Sequence, residues 1–394
     1  MSTLVIDRIG LLVTCDPSLG EGPLGLVRKA ALIIEDGRVI AIDRAGTAAD
    51  ERLDAQQRCV MPGFVDSHTH LVFAGDRSEE FVRRMAGQPY AAGGILETVA
   101  DTRAAPDMDL DAAAWWRRQE GLRAGITHVE VKSGYALDVE GEARLCRIAS
   151  QWTDEVTFLG AHVVPPEYQD RADDYVALVC GPMLERCLPW ARWIDVFCEE
   201  GAFDVEQSRA VLEAGRTAGL GLRVHANQLG PGPGVQLAVE LGAASADHCT
   251  FLTDQDIEAL AGSETVATFL PATDFATRQP YPDARRAIDA GVTTALATNT
   301  NPGSSYTTSM SFCIALAVRD MRMTIEEAVL AATAGGARAL RRQDVGRLAP
   351  GCRADAAILA APSPAHFAYR PGVPLVAATM AEGRIAYRDP AVWP

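Results

Sequence analysis

Of the seven histidines, at 68, 70, 128, 162, 225, 248 and 366, five stand where metal-assisted chemistry would use them. His68 and His70 are two apart, so at an extended strand end both imidazoles point to one side. Two such rings can grip one metal ion, and His225 could add a third nitrogen from another strand. A metal held this way acidifies a bound water near neutral pH, and nearby donors stabilise the oxyanion of an attacked carbonyl. A lone histidine is more often a solvated loop residue or a satisfied core residue. The shared register of five therefore carries the reading, not any one of them. His128 and His366 fit no such position and read as structural.

The middle of the chain supplies the elements that would position these groups. Over 61–340, short apolar strands alternate with helical stretches. The strand candidates are Gly63–Asp66, Thr127–Val131, Val156–Leu159, Trp193–Phe197, Leu222–Val224, Ala243–Ala246, Thr265–Leu270 and Val292–Ala297. Helical stretches Leu110–Ala124, Gly141–Gln151, Val205–Gly219 and Asp254–Ala261 lie between them. Eight βα units fit an α/β TIM barrel, in which chemistry sits just past the C-terminal strand ends. An open doubly wound sheet is the runner-up, but no nucleotide-binding glycine motif follows any strand. The strand ends carry, in order, His68-Thr69-His70, Lys132-Ser133-Gly134-Tyr135, His162, Cys198-Glu199, His225-Ala226-Asn227-Gln228, Asp247-His248 and Asn299 through Ser305.

Both termini are rich in hairpins. Leu4–Ile6, Leu11–Val13, Ala31–Ile34 and Val39–Ile42 read as strands, with Asp36-Gly37 as a turn. Val345–Leu348, Ala356–Leu359, Leu375–Thr379 and Ile385–Tyr387 mirror them. A small composite β domain from residues 1–60 and 341–394 is expected around a barrel over 61–340.

The 36 basic and 52 acidic residues leave a net charge of −16, which repels phosphate backbones and argues against a nucleic-acid partner. Apolar residues make up 48%, enough for a large core and too many for disorder. The apolar runs are too short to span a membrane, and the first residues, which lack a basic segment and reach Asp7 and Arg8 early, are not expected to form a secretion signal. The nine cysteines are scattered without a C-x-x-C, as expected of reduced thiols in a cytoplasmic protein. Only two lysines occur, Lys29 and Lys132.

Pro62 through His70 resembles the opening signature of the amidohydrolase superfamily. The match narrows with Leu71 through Arg77, Lys132-Ser133-Gly134-Tyr135, Gly160-Ala161-His162, His225 through Leu229, Ser245 through His248 and Asn301 through Ser305. Together these resemble the imidazolonepropionase family nearly end to end. That family opens the ring of 4-imidazolone-5-propanoate to N-formimino-L-glutamate in histidine degradation. The resemblance implies one divalent ion, zinc or iron, on His68, His70 and His225, with residue 299 as a fourth ligand. It places Arg77 on the propanoate carboxylate, which suits a planar fork of donors. Tyr135, His162, Asn301, Gly303 and Ser304 would line the pocket, and His248 would polarise the ring carbonyl or help activate water. Gln228 would hydrogen-bond substrate or water, since an amide cannot act as a base. Binuclear relatives carry a carboxylated lysine at the strand-4 end; here Cys198-Glu199 stand there, which favours one metal. The expected assembly is a homodimer acting on a small molecule.

The chain departs from that pattern at 299, where the family has Asp and this chain has Asn. Asn offers a neutral carbonyl oxygen, a weaker ligand and no base. Two function classes follow: a hydrolase of a cyclic amide, or a catalytically weak relative that keeps the pocket for binding. A deaminase of a heterocycle, or a hydrolase of another cyclic amide, is a further variant of the first.

Overall fold

A computed structural model of the chain describes residues 3–87 and 94–393. Its strands in chain order are β1 (Thr3–Val13), β2 (Leu26–Glu35), β3 (Arg38–Arg44), β4 (Glu51–Asp54), β5 (Cys59–Pro62), β6 (Phe64–Asp66), β7 (Ile126–Lys132) and β8 (Glu155–Ala161). They continue as β9 (Trp193–Cys198), β10 (Gly221–Ala226), β11 (Ser245–His248), β12 (Val266–Phe269), β13 (Thr294–Leu296), β14 (Ala356–Leu359), β15 (Val376–Ala381) and β16 (Arg384–Arg388). Contacts divide the chain into two compact units. One holds Met1–Ser67, Gln119–His128 and Thr308–Pro394, the other His68–Arg118 and Val129–Thr307.

The first unit contains a mixed sheet of order β16-β15-β14-β5-β1-β2-β3, with β4 pairing β1. Strands from both termini meet where β14 runs antiparallel to β5, Ala356 opposite Pro62. The sheet's core is aliphatic, with Ile6, Ile9, Leu12, Leu32, Val60, Ile358 and Met380 fully or almost fully buried. Each such side chain contributes roughly 1.5–3 kcal/mol of hydrophobic stabilisation.

Local chemistry moved some expected boundaries. Leu4–Ile6 and Leu11–Val13 are not two strands but the ends of β1. A bulge between Ile6 and Ile9, with Arg8 at φ 54°, lets the strand continue past its polar residues. Val345–Leu348 is not a strand. Gly346 sits at φ 71°, and the Leu348 amide makes an isolated bond to the Thr14 carbonyl rather than a rung of a ladder. The short strands β4 and β5 carried too little pattern to be expected.

The second sheet has the order β13-β12-β11-β10-β9-β8-β7-β6, and its registered pairs are parallel. Its strands are buried almost throughout, the mark of parallel strands covered on both faces. The ends of the path meet at the mouth, where the Asn299 amide donates to the His68 carbonyl and the His70 amide to the Thr300 carbonyl, both at 3.0 Å. The architecture is the expected TIM barrel with an additional small β domain. Three of its helices illustrate side-chain capping. Asp138 accepts from the Gly141 amide to begin Val139–Ala149, and capping boxes of Asp204 with Gln207 and Thr253 with Asp256 begin Val205–Thr217 and Asp254–Ala261.

Candidate active site

Three imidazoles converge at the barrel mouth. His68 and His70 follow β6, His225 lies near the end of β10, and one ring nitrogen from each falls within 4.8 Å of the others. Two of them turn Nδ1 to a carboxylate. His68 Nδ1 pairs with Asp247 Oδ2 at 2.7 Å, and His225 Nδ1 with Asp195 Oδ1 at 3.1 Å. A carboxylate on Nδ1 fixes that nitrogen as the donor and leaves Nε2 a lone pair. Among the described residues His68 Nε2 and His70 Nδ1 are buried without a hydrogen-bond partner. Burial, the largest cause, holds His68 and His70 well below the usual histidine range, so both rings are neutral. Neutral imidazoles with unpartnered buried nitrogens are the donor set a borderline divalent ion requires.

The two carboxylates are ionised against their surroundings. Burial opposes charge at Asp247, but Arg223, His68 and Lys132 outweigh it and hold its pKa well below the usual carboxylate range. Asp195 is likewise lowered, burial being overcome by His225 and Lys132. Arg223, itself fully buried, places Nη2 3.2 Å from Asp247 Oδ2.

His162 and Tyr135 form one wall. His162 stacks on His70 with ring centroids 5.5 Å apart, and Tyr135 lies 5.4 Å from His162. His162 Nδ1 donates to the Gly134 carbonyl at 2.9 Å, which leaves Nε2 as an acceptor. Burial drops its pKa to about 3. Gly134 has φ 104°, and a Cβ there would sit 2.9 Å from that Nδ1, so this position requires glycine. His248, the last residue of β11, packs 5.3 Å from His225, and burial holds it neutral. Gln228 lines the same pocket, and its backbone amide donates to Glu199 Oε1. Burial raises the Glu199 carboxyl to about 7, tempered by the amides of Gln228 and Leu229.

The opposite side carries Arg77, 4% exposed. Its Nε donates to Glu80 Oε2 at 2.7 Å and its Nη2 is 2.6 Å from the same oxygen. The guanidinium lies in a slot between two glycines. A Cβ on Gly303 would fall 2.5 Å from Arg77 Cζ, and one on Gly94 would collide with Nη2. Glu80 also accepts from Arg84 Nη2 at 2.7 Å, and that nitrogen holds the Gly303 carbonyl at 2.9 Å.

The loop after β13 completes the ring. Asn299 is 2% exposed, in the left-handed region at φ 58° that Asn and Asp tolerate best. Its Nδ2 donates to Thr273 Oγ1 at 2.8 Å and more weakly to Ser304 Oγ at 3.4 Å. Its Oδ1 is buried without a hydrogen-bond partner among the described residues. The Asn301 side chain is spent on the loop itself. Its Oδ1 accepts from the amides of Gly303 and Ser304, and its Nδ2 donates to the Asn299 carbonyl.

The pocket is lined by His70, Arg77, Ile95, Tyr135, His162, Phe197, His225, Gln228, His248, Asn299, Asn301 and Ser304. Of the residues singled out from sequence, His68 and Gly303 lie outside that lining. His68 sits behind its neighbours against Asp247, and Gly303 backs Arg77. His128 and His366 are not among the lining residues. Sequence reasoning missed Asp195, Glu80, Gly94 and Thr273. An acid inside the apolar run Trp193–Cys198, and an acid three residues after Arg77 in the first turn of the helix Ser78–Met85, were signals that could have found the first two.

Residues 211–386 match the model of the amidohydrolase family. The chain is 63% identical over 394 residues to the imidazolonepropionase of Mycolicibacterium smegmatis, covering all of both chains. It is 63% identical to that of Salinispora tropica over 97% of this chain and 98% of the relative. Among solved structures, a triazine hydrolase of Arthobacter aurescens superposes with a TM-score of 0.76 at 17% identity, covering 100% of this chain and 97% of that one. An adenosine deaminase of Xanthomonas campestris gives 0.72 at 17% identity, over 98% and 93%. At those identities the structural likeness speaks for the fold alone.

Proposed function

From the premise that the chain belongs to the imidazolonepropionase family of amidohydrolases, we propose that it hydrolyses 4-imidazolone-5-propanoate to N-formimino-L-glutamate. It is a hydrolase acting on a cyclic amide C–N bond. The observation that carries the site reading is the convergence of three buried imidazoles, two of which, His70 and His225, line one pocket with the buried Arg77.

His68, His70 and His225 would hold one divalent ion, zinc or iron, with Asn299 Oδ1 as a weaker neutral fourth donor. When bound, such an ion supplies an acidified water and a Lewis acid for the ring carbonyl. The chain's own residues do the rest. Arg77 takes the propanoate carboxylate and so fixes the ring in the pocket. Tyr135 and His162 flank the ring, and His248, held neutral, hydrogen-bonds the carbonyl oxygen or the attacking water. Gln228 orients that water as donor or acceptor. Asn301, Gly303 and Ser304 hold the wall against Arg77. Water's hydroxyl adds to the acyl carbon, the ring C–N bond breaks, and the remaining proton goes to the departing nitrogen. Asn299 cannot accept the water's proton, so the native chain turns over more slowly than an aspartate-bearing one.

We assign residues 61–340 to the catalytic barrel and 1–60 with 341–394 to the composite β domain. We propose a cytoplasmic homodimer; nine free cysteines support the cytoplasm, and a net charge of −16 argues against a nucleic-acid partner. No helix among the described residues is long and apolar enough to cross a membrane. Turnover of the named substrate by metal-quantified protein tests this reading.

A further inference from the structure

We infer that Lys132 is a positioning residue for the metal site, acting through three buried carboxylates on the rings of His68 and His225 and on the backbone that carries His68 and His70. Lys132 ends β7, and its ammonium is fully buried. The ammonium lies 2.8 Å from Asp195 Oδ2, 2.9 Å from Glu130 Oε1 and 3.6 Å from Asp247 Oδ2, all three acids being fully buried too.

Each acid continues to a different part of the triad. Asp195 holds His225 Nδ1, and its Oδ1 also takes the His225 amide at 3.2 Å. Asp247 holds His68 Nδ1. Glu130 Oε2 accepts the amide of Thr69, the residue between His68 and His70, at 3.2 Å. The lysine backbone adds a fourth tie, since the Lys132 amide donates to the Thr69 carbonyl at 2.8 Å. One cation therefore touches the carboxylates behind His68 and His225 and the carboxylate that holds the backbone between His68 and His70.

Lysine suits this place. Its ammonium is a compact point charge with three donors, whereas a guanidinium presents a flat fork. Without it, three buried carboxylates would crowd together with Arg223 as their remaining cation in this cluster, and their mutual repulsion would turn Asp195 and Asp247 away from the ring nitrogens. Partners behind metal ligands typically change metal affinity about 10–100-fold when removed.

This assignment rests on the triad being a metal site, and the test separates the two. Apoprotein is titrated with zinc against a chromophoric chelator for the native chain, Lys132→Met and Lys132→Gln. Leu145→Ala is the control, a core truncation on the helix Val139–Ala149 that lowers melting temperature without touching the network. We expect zinc affinity to fall about 10–100-fold in both lysine variants and to be unchanged in Leu145→Ala. In a double-mutant cycle, Lys132→Met and Asp195→Asn should be non-additive for zinc affinity, because one acts through the other. A native chain that binds no zinc would overturn the metal reading itself. Native binding with lysine variants within two-fold of it, additive effects in the cycle, or failure of both lysine variants to fold would overturn the role given to Lys132.

Discussion

Gly303→Ala isolates the arginine clamp without touching a charged group. Gly303 lies outside the left-handed region, so alanine is compatible with its backbone. The added Cβ, however, would sit 2.5 Å from Arg77 Cζ and closer still to Nη1. The guanidinium cannot retreat, because Gly94 closes the slot near Nη2 and Glu80 pins Nε at 2.7 Å. It must swing away from the propanoate carboxylate. A hydrogen bond to a charged group is worth about 1.5–3 kcal/mol. At about 1.4 kcal/mol per tenfold, losing one arm of the fork should raise KM about 10–100-fold. The assay is steady-state kinetics on 4-imidazolone-5-propanoate beside its 5-ethyl analogue, which lacks the carboxylate. The variant should lose the native preference for the carboxylate while keeping its metal content, since Arg77 is not one of the three imidazoles that would hold the ion. Equal changes for both substrates, or a KM within two-fold of native, would refute the slot as a specificity device.

Arg77→Ala should weaken substrate binding far more than metal content, read by KM and elemental analysis; equal losses would make Arg77 structural. Asn299→Asp should raise kcat by about 10²–10⁴, the range of a positioned general base, and tighten metal binding. The Thr273 and Ser304 hydroxyls that now accept from Asn299 can donate to a carboxylate, so melting temperature should hold; a rate within a few-fold of native would show that another group carries the proton. Asp274 concerns stability alone. Burial raises its carboxyl from 3.8 to about 8, with Thr250 donating to Oδ1. A folded pKa raised above the unfolded one gives stability that is full below 3.8 and is lost as pH rises through about 8. Asp274→Asn should flatten that loss in melting curves taken across the window; unchanged curvature would contradict it.

The barrel was legible because its strands are apolar runs of the right length ending in polar clusters. Trp193–Phe197 and Asp254–Ala261 fell within a residue of the observed elements for that reason. The terminal strands were less so, since the bulge at Arg8 breaks a pattern without breaking the strand. At the site, histidine spacing and motif register brought forward ten of the twelve residues that line the pocket, all but Ile95 and Phe197. What holds them was hidden. Asp195 and Glu130 look from sequence like polar interruptions of buried strands, and only the closed barrel aims them at Lys132. Asp247 stands next to His248 in sequence, yet its carboxylate serves His68, 179 positions away. Gly94 and Gly303 meet across Arg77 by tertiary contact alone.

The central claim is tested most directly by giving 4-imidazolone-5-propanoate to the native chain with its zinc and iron quantified in the same sample. The product is followed by mass spectrometry. A metal-dependent gain of one water with ring opening to N-formimino-L-glutamate is the predicted result, at a rate that Asn299→Asp increases. A metal-replete native chain that binds the substrate and returns it unchanged would contradict the account.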